Sequence, residues 1–403
     1  MKAYLINGDE SFTYNQLLDD INNTEYYYQI LRQANPYVLF LNLIVSLANN
    51  RDTELLDSDF QEKELENLGF DDSQTKFERR HFETIDEVIA SVINSTSKIA
   101  LYTSGTTGQP KKIIHTIDSL TRTVKFSVTI KDHIWGFAYN PTHMAGLQVF
   151  FQAFLNKNTL VYIFDKSRDS IYNLIEKNSV THLSATPTFY RLLLPVQKSL
   201  ASITRITFGG EKSDSKLHYQ MLKIFPNSKI NNIYASTEAG SLFACKGELF
   251  KIPDQLKNKV KVFENELLIH ETLLGKSESL KTVDGFYGTG DLVEWVNQAN
   301  GEFRFINRKN EMINVGGYKI NPIEVEEAIL DITGVLNSTV YGKKNSVLGN
   351  LLYAEVMLQQ GSTVNEADIR KYLSTQLQDY KIPRKIVFVN ALPLTRTGKI
   401  KRS

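Results

Sequence analysis

The sequence has few of the features that would assign its class at once. Its 403 residues include one cysteine, Cys245, so the chain cannot form an internal disulfide. A single thiol is typical of proteins from a reducing compartment, and we therefore expect a cytoplasmic location. Lysine and arginine number 46 against 45 aspartate and glutamate residues, and this balance gives no basic field for nucleic acid. A small-molecule partner is favoured instead.

Long apolar runs are also absent. The most apolar stretch, YVLFLNLIVSLA at residues 37–48, is too short to cross a bilayer and contains Asn42 and Ser46. It predicts a buried helix. The first residues, MKAYLINGDESF, lack the basic-then-apolar pattern of a signal sequence. We therefore expect no membrane span.

The middle of the chain alternates between two kinds of segment. Between residues 98 and 233, short β-branched runs such as THLSAT and ITRITF alternate with segments of helical spacing. This alternation predicts βαβ units and a mainly parallel sheet flanked by helices. After Gly247 the runs resemble short antiparallel strands joined by glycine-containing turns.

The pattern changes again near Arg308. The stretch NPIEVEEAI has Asn321 in a capping position and Pro322 at the first helical position, which predicts a helix start. Two strand-like runs, one helix and a basic tail follow. We predict an α/β protein with a large N-terminal domain, residues 1–308, and a small α+β C-terminal domain, residues 309–403.

The stretch LYTSGTTGQPKKIIH, residues 101–115, combines small hydroxyl residues, two glycines and two lysines. We place it between a strand and a helix, where backbone N–H groups and Lys111 favour a phosphate. It is not a Walker A loop, because Lys111 lacks the preceding Gly and the following Ser or Thr. An ordinary turn rich in Ser, Thr and Gly is the alternative.

Further segments repeat the order of motifs in one large family. YTSGTTGQPK resembles the signature loop of the adenylate-forming superfamily, which contains acyl-CoA synthetases, luciferases and the adenylation domains of peptide synthetases. The later segments that resemble its motifs are NPTHMAGL, FGGEKSD, NNIYASTEAG, YGTGDLVEW, NRKNEMINVGGYKINPIEVEEAI and LPLTRTGKIKR. The resemblance covers roughly three quarters of the chain. It implies the large domain named above, with mainly parallel sheets and a small antiparallel part, and a mobile C-terminal domain.

The resemblance also implies a reaction. A carboxylic acid is activated by ATP and Mg²⁺ as an acyl-adenylate, with release of pyrophosphate, and the acyl group passes to a thiol of coenzyme A. The alternative acceptor is the phosphopantetheine of a carrier protein, loaded by a stand-alone adenylation enzyme. A third hypothesis is a nucleotide-binding relative without catalysis.

The resemblance assigns roles to individual residues. The phosphate-binding loop would consist of Thr103, Ser104, Gly105, Thr106, Thr107, Gly108 and Lys111. Other nucleotide contacts are implied for Gly209, Gly210, Glu211, Asn232, Tyr234, Ala235, Ser236, Asp291 and Arg308. Asp291 would accept from the ribose hydroxyls, and Gly316 and Gly317 would line the pantetheine tunnel.

Four residues are implied to be catalytic: Lys399, His143, Thr237 and Glu238, of which Glu238 would also hold Mg²⁺. Lys399 would lie between the attacking carboxylate and the α-phosphate, and Thr237 would contact the α-phosphate. Each has a simpler interpretation: Lys399 as a solvated charge, Asp291 as a turn residue and His143 as a satisfied buried histidine.

The sequence departs from the family pattern in several places. Met144 stands where amino-acid-activating relatives have an Asp for the α-ammonium, so we expect an acid without an α-amino group. Fatty, aryl and succinylbenzoate-type acids all stay open. Asn310 is the predicted hinge. Because the signature loop begins near residue 101, we also expect an abbreviated N-terminal region.

Overall fold

The structure is a computed structural model, and it describes residues 2–60, 62–70, 73–78, 80–103, 111–315, 318–345, 349–395 and 399–400. Seven predicted site residues lie outside these ranges: Ser104, Gly105, Thr106, Thr107, Gly108, Gly316 and Gly317. The side chain of Thr103 is also outside the description.

The helices of the described residues mostly begin at a Ser, Thr, Asn or Asp side chain that accepts a backbone N–H. They are α1 (Tyr14–Asn23), α2 (Pro36–Ala48), α3 (Glu62–Leu68), α4 (Ile85–Ile93), α5 (Ile117–Thr121), α6 (Met144–Phe154), α7 (Arg168–Lys177), α8 (Pro187–Leu192), α9 (Ser215–Ile224), α10 (Pro322–Leu330) and α11 (Glu366–Gln376). The apolar run at residues 37–48 forms the buried helix α2, as predicted. None of the helices in the described ranges combines the length and apolar character that a membrane crossing requires.

The strands fall into one large mainly parallel sheet and several smaller ones. They are β1 (Ala3–Asn7), β2 (Glu10–Thr13), β3 (Tyr26–Tyr28), β4 (Ile30–Leu31), β5 (Thr53–Leu55), β6 (Gln74–Lys76), β7 (Lys98–Thr103), β8 (Lys111–Thr116), β9 (Ile134–Phe137), β10 (Thr159–Tyr162), β11 (His182–Ala185), β12 (Arg205–Gly209), β13 (Lys229–Ser236), β14 (Gly240–Cys245), β15 (Phe250–Lys251), β16 (Val260–Phe263), β17 (Glu266–His270), β18 (Thr282–Val283), β19 (Phe286–Asn297), β20 (Glu302–Arg308), β21 (Ile313–Val315), β22 (Tyr318–Ile320), β23 (Val335–Asn345), β24 (Gly349–Leu358) and β25 (Lys385–Phe388).

The large sheet has the strand order β14-β13-β12-β11-β9-β10-β1-β2. Its inner strands from β13 to β1 run parallel, whereas both edge strands pair antiparallel. Helices α6 to α9 follow these strands in the chain and bury apolar side chains such as Phe150, Tyr172 and Leu217. The alternation in the sequence therefore predicted this sheet correctly.

The opening loop, which is the predicted phosphate-binding loop between Thr103 and Lys111, has a different setting from the one predicted. It joins β7 to β8, two antiparallel strands that pair from Lys98 and Thr116 to Thr103 and Lys111, so a strand and not a helix follows it. The reason is the pattern KKIIHT, in which Ile113 and His115 are buried at alternate positions, as in a strand with one packed face. The predicted contribution of a helix N-terminus to phosphate binding is therefore wrong.

Antiparallel structure follows Gly247, as predicted. Strands β15, β20, β19, β17 and β16 form one sheet, and the hairpin of β16 and β17 turns at Glu264 and Asn265, both at positive φ. Phe303 and Val293 of this sheet are buried in one apolar cluster with Phe243 of β14.

The C-terminal part forms a separate apolar cluster. Strands β23, β24 and β25 make a three-stranded sheet, and α10 and α11 bury Ile329 and Leu373 in its core. Asn321 caps α10 by accepting from the N–H of Ile323 at 3.0 Å, as the sequence predicted. The sequence did not predict β25. The domain boundary near residues 308–311 stays a prediction.

Candidate active site

The candidate site lies at one edge of the large sheet. The carboxyl ends of β9, β11, β12 and β13 meet at this edge because those strands are parallel. Gly209 ends β12, Ser236 ends β13, and Thr237 and Glu238 follow directly in the turn to β14. His143 follows β9 and begins α6. The fold thus brings three separate motifs to the same end of the sheet.

Lys399 reaches this edge from the end of the chain. A Cβ placed on Gly210 would lie 3.4 Å from Lys399 Cε and 3.9 Å from its Nζ. Gly210 also has a φ of +82°, which favours glycine. The backbone of Lys399 is held by Thr395, whose N–H donates to the Lys399 carbonyl at 2.7 Å.

The electrostatic surroundings of Lys399 are mixed. Burial lowers the pKa of its ammonium group, and the carboxylate of Glu211 opposes this shift. Asp291 and Glu311 act in the same direction as Glu211, whereas Arg308 lowers the pKa further. The ammonium therefore lies among carboxylates that favour its charged form in a place that disfavours charge.

Glu211 is itself anchored to helix α8. Its Oε2 accepts the N–H of Thr188 at 3.0 Å and the hydroxyl of the same residue at 2.8 Å. Thr188 is buried and lies in the first turn of α8. Two hydrogen bonds from one residue fix the carboxylate next to Lys399. Sequence reasoning missed this contact, because Thr188 lies in no recognised motif.

Tyr234, Asp291 and Arg308 form a second group. The Tyr234 hydroxyl donates to Asp291 Oδ2 at 2.6 Å, and Arg308 Nε donates to Asp291 Oδ1 at 2.8 Å. Asp291 and Arg308 are directly opposite in the pairing of β19 and β20. Burial, reinforced by the Asp291 carboxylate, raises the pKa of Tyr234 well above its usual value. Two of the roughly four acceptor positions on the carboxylate are occupied, which leaves room for hydroxyl donors.

Asn232 is fixed by two neighbours, Ser213 of the segment FGGEKSD and Gly247 outside the motifs. Its Oδ1 accepts the hydroxyl of Ser213 at 2.8 Å, and its amide group donates to the carbonyl of Gly247. The ring of Tyr234 stacks between those of Phe243 and Phe305, with centroids 5.2 and 4.6 Å away. The polar edge of β13 thus has defined side-chain orientations before any ligand arrives.

The turn after β13 is held by its carbonyl groups. His115 Nε2 donates to the Thr237 carbonyl at 2.8 Å, and the N–H of Gly275 donates to the Glu238 carbonyl at 2.7 Å. Ala239, next in the turn, accepts from Arg122 Nη1 at 3.3 Å. The carbonyl groups of residues 237–239 therefore all accept hydrogen bonds. Their donors lie in β8, in the segment after β17 and in the chain after α5, respectively. Ser236 completes the turn, since its hydroxyl accepts the N–H of Ala239 at 3.2 Å.

His115 is a neutral member of this arrangement. Burial is the main cause that lowers its pKa to about 4, and the charge of Arg122 acts in the same direction. Its ring therefore remains uncharged near neutral pH and donates one proton to the backbone. Because β8 begins at Lys111, His115 links the end of the opening loop to the turn that contains Glu238.

Lys111 and Lys112 differ in their surroundings. Lys112 forms an ion pair with Glu54, whose carboxylate also accepts the hydroxyl of Tyr102. Lys111 lies opposite Thr103 at the mouth of the β7–β8 hairpin. The pairing thus directs the two ends of the loop toward each other, although residues 104–110 lie outside the described ranges.

His143 shares no hydrogen bond with the described residues around Lys399 and Asp291. Its Nε2 is 3.0 Å from Asp57 Oδ2, and no other side chain among the described residues forms a hydrogen bond with its ring. Its neighbour Met144 is buried, and a Cβ placed on Gly240 would lie 3.7 Å from the Met144 sulfur. Met144 therefore packs against the residue that follows the turn from β13 to β14.

A protein-only metal site is not formed within the described ranges. No cluster of three or more His, Cys, Asp or Glu side chains in them is arranged to hold a metal ion. Glu238 offers a single carboxylate at the sheet edge. One carboxylate is sufficient for Mg²⁺ when phosphate oxygens and water supply the other ligands.

Comparisons with known proteins identify the family of this chain. The AMP-binding enzyme family matches residues 25–262, and the AMP-binding enzyme C-terminal domain matches residues 324–399. Bacitracin synthase 3 of Bacillus licheniformis is 27% identical over 77% of this chain and 5% of its own length. 4-Hydroxybutyrate–CoA ligase 1 of Metallosphaera sedula is 27% identical over 75% of this chain and 61% of its own. The chain therefore spans less than two thirds of the length of these relatives.

Solved structures share the fold. ATP-bound MatB from Rhodopseudomonas palustris aligns with a TM-score of 0.75 at 18% identity, over 99% of this chain and 94% of its own. MenE, the o-succinylbenzoate coenzyme A synthetase of Bacillus subtilis in complex with ATP and magnesium ion, aligns with a TM-score of 0.72 at 20% identity, over 99% and 95%. Because the family match at residues 25–262 covers more than half of the chain, the protein belongs to the AMP-binding enzyme family.

Proposed function

We propose that this protein activates a carboxylic acid with ATP as an acyl-adenylate and then transfers the acyl group to the thiol of coenzyme A. The observation on which the proposal depends most is the position of Lys399, a residue of the chain end, against Gly210 and beside Glu211. A fully solvated lysine would not be partly buried at the carboxyl edge of a parallel sheet. The named relatives, which include a CoA ligase, support the same reaction class.

The first half-reaction brings two anions together. The carboxylate attacks the α-phosphorus, the bond to the bridging oxygen breaks, and pyrophosphate leaves with that electron pair. An ammonium in a buried position stabilises charge that develops on the phosphorus oxygens more strongly than it would in water. Lys399 would supply this charge, and Glu211 would keep it protonated.

The remaining nucleotide roles follow from the two polar groups described above. Asp291 would accept the ribose hydroxyls while Tyr234 and Arg308 hold it in place. Asn232 and the turn from Gly209 to Glu211 would border the adenine. These side chains are already oriented by protein contacts, so nucleotide binding would require little reorganisation.

The phosphates would lie between the opening loop and the turn after β13. Thr103 and Lys111 flank the loop, Thr237 would contact the α-phosphate, and Glu238 would hold Mg²⁺. When bound, Mg²⁺ neutralises phosphate oxygens and favours in-line attack. The carbonyl groups of the turn are bound by protein donors, and the side chains of Thr237 and Glu238 are partly exposed and would be available to a ligand.

The second half-reaction requires a thiol at the position that Lys399 holds here. We propose that residues 309–403 form a mobile domain that pivots near Asn310 and replaces Lys399 with the segment around Gly316 and Gly317. The alternative acceptor is the phosphopantetheine of a carrier protein. The similarity to bacitracin synthase 3 is the observation that favours it. A cytoplasmic location remains part of the proposal.

A panel of carboxylic acids tests the first half-reaction. We expect at least one acid to cause ATP-dependent pyrophosphate release, and Lys399→Ala to reduce that release by several decades. Lys371→Ala, which removes an exposed lysine of the same C-terminal part, is the matched control and should retain activity. If no acid in the panel supports release by the unmodified protein, the proposed function is wrong.

The acceptor is tested separately. Coenzyme A and a phosphopantetheinylated carrier protein are offered with the activated acid, and AMP release and thioester are measured. Thioester formation with coenzyme A supports the main proposal, whereas thioester on the carrier alone supports the alternative. Lys399→Ala should largely spare thioester formation from supplied acyl-adenylate, because its role is confined to the first step.

A further inference from the structure

Asp57 is a buried carboxylate beside the loop that precedes α6. It is 6% exposed and lies two residues after β5, far along the chain from the loop. It accepts the Asn140 amide at 3.1 Å, His143 Nε2 at 3.0 Å and the Thr142 hydroxyl. A carboxylate is tolerated at such burial when several donors compensate for the water it has lost.

The hydroxyl of Thr142 has two acceptors within reach but only one proton. They are Asp57 Oδ1 and Asn140 Oδ1, and the second already accepts the N–H of Thr142 at 3.0 Å. The charged carboxylate is the stronger acceptor, so the hydroxyl proton goes to Asp57. The Asp57 carboxylate therefore fastens the loop 140–143 to the N-terminal region.

The contact with His143 determines which ring nitrogen has the proton. An ionised carboxylate only accepts, so His143 Nε2 must be the donor. In the neutral ring the proton is therefore on Nε2, and Nδ1 has a lone pair. Nδ1 forms no hydrogen bond with any residue in the described ranges, and the His143 side chain is 13% exposed. This nitrogen is the one left to contact a ligand.

The backbone around His143 is equally constrained. His143 is the N-cap residue of α6, and its side chain does not cap the helix because it is turned to Asp57. The negative charge of Asp57 lies near the N-terminal end of α6, where the helix dipole favours it. A Cβ on Gly146 would lie 2.2 Å from the Asn140 carbonyl oxygen, so the loop packs tightly on the helix.

We propose that Asp57 is a positioning residue for recognition of the carboxylic acid: it holds His143 by Nε2 and presents Nδ1 to the substrate. The inference rests on the proposed function, because it places His143 in the acid pocket. It gives the N-terminal region a part in substrate recognition that no sequence motif assigns. Asp57 itself would not touch the acid.

The kinetic test compares Asp57→Asn, His143→Ala and the double variant. Asn has nearly the same shape as Asp but no charge. We expect Asp57→Asn to raise the KM for the acid about tenfold or more, with the KM for ATP within twofold, and the double variant to equal His143→Ala alone. Equal increases in both KM values, or effects that multiply in the double variant, would overturn the proposal.

Asp20→Asn is the matched control. Asp20 also lies in the N-terminal region and also accepts one hydroxyl, that of Tyr37, but it forms no hydrogen bond with a site residue that the structure describes. Its KM values should be unchanged. If Asp20→Asn raised the KM for the acid as much as Asp57→Asn did, the effect would reflect the stability of the N-terminal region and not the position of His143.

The second test observes the imidazole directly. With ¹⁵N-labelled histidine, NMR should show the neutral His143 ring protonated on Nε2. In Asp57→Asn the amide group would face Nε2 as a donor, so we expect the proton to move to Nδ1. An Nδ1-protonated ring in the unmodified protein would refute the contact, even if Asp57→Asn failed to fold.

The two tests separate the inference from the function. If the unmodified protein releases pyrophosphate with an acid but Asp57→Asn does not change the KM for that acid, only the inference fails. If no acid supports release, the proposed function fails and acid recognition by His143 fails with it, while NMR still decides whether Asp57 holds the ring.

Discussion

Two histidines near the candidate site have partners of opposite kind. His115 donates to the carbonyl of Thr237 at 2.8 Å, and its pKa is lowered to about 4 mainly by burial. His143 instead contacts the Asp57 carboxylate at 3.0 Å and keeps its second nitrogen without a partner among the described residues. In the proposed function, the first would stabilise the backbone next to the phosphates, and the second would be oriented toward the acid. The partner, and not the residue type, distinguishes the two roles.

Each histidine depends on a glycine that permits close packing. A Cβ on Gly146 would lie 2.2 Å from the carbonyl oxygen of Asn140, in the loop that ends at His143. A Cβ on Gly275 would lie 2.6 Å from Cε1 of His115. Real Cβ contacts are longer, so an added methyl group at either position must displace its neighbour. We therefore expect substitutions next to His143 to change the KM for the acid, and substitutions next to His115 to change the KM for ATP.

Met144→Asp, next to His143, should have the largest effect on activity of the substitutions discussed. Met144 is 4% exposed, and a carboxylate there would be desolvated and would repel the anion of the acid. A buried charge without compensation costs roughly 3 kcal/mol or more, so kcat/KM for the native acid should fall by about two decades or more. No amino-acid activation should appear.

Met144→Leu is the control for this change, because it keeps an apolar side chain of similar volume and should cost under about 1.5 kcal/mol. Steady-state kinetics with the native acid and with a set of amino acids make the comparison. Unchanged kcat/KM in Met144→Asp would mean that Met144 does not line the acid pocket.

Gly146→Ala should have the next largest effect. Alanine would improve the helix propensity of α6 by about 1 kcal/mol, but the contact of 2.2 Å is with a backbone atom that cannot rotate away. Overpacking of this kind costs roughly 1–3 kcal/mol, so the clash should outweigh the gain. We expect a lower melting temperature and an increase of about tenfold or more in the KM for the acid.

Gly136→Ala serves as the comparison for Gly146→Ala. Gly136 is buried in β9, where an added Cβ would meet side-chain carbons of Leu183 and Ile163 at 3.0 and 3.1 Å. It should lower the melting temperature without a change in the KM for the acid. Equal acid KM values in Gly146→Ala and the unmodified protein would separate the loop 140–143 from substrate binding.

The sequence alone predicted the parts of the site that are local. Gly209 to Glu211 and Thr237 to Glu238 follow buried strands, so their place at the carboxyl edge is a consequence of parallel topology. The residues that hold the site in place through hydrogen bonds were not predicted, because they are far in the chain from the residues that they contact. His115 and Thr237 are 122 residues apart, and Asp57 and His143 are 86 apart.

The wrong setting predicted for the opening loop has a local cause. In KKIIHT the two isoleucines are adjacent and polar residues surround them, so the sequence shows no clear alternation of apolar and polar residues. In the strand, Ile113 and His115 are nevertheless buried at alternate positions. The histidine four residues after Lys111 was a usable signal, because a buried His on a strand needs a polar partner. The sequence does not indicate which partner it finds.

Gly275→Ala tests the His115 side with a smaller expected effect. The added methyl group would meet His115 Nε2 at 2.8 Å and Ile113 at 2.7 Å, and both are side chains that can adjust. We expect His115 to move from the Thr237 carbonyl, and the KM for ATP to rise about threefold to tenfold while the KM for the acid is unchanged. A selective change in the KM for the acid would contradict the expectation that His115 affects ATP binding and His143 affects acid binding. His115→Gln in the same assay shows whether another neutral donor can replace the imidazole at the Thr237 carbonyl.

The smallest effect is the part of the pH dependence of stability that His115 should cause. The pKa of His115 is about 4 in the folded protein and about 6.5 in an unfolded chain, so the unfolded state binds a proton first as pH falls. Stability from the neutral ring is therefore present above pH 6.5 and is lost progressively as pH falls toward 4. Between pH 7 and pH 5.5 the loss should be about 1 kcal/mol. Denaturant unfolding of the native protein and of His115→Gln at the two pH values measures the loss of stability that His115 causes. Other buried histidines, such as His182, contribute equally in the two proteins. An identical pH dependence in the two proteins would mean that His115 is not held neutral by its surroundings.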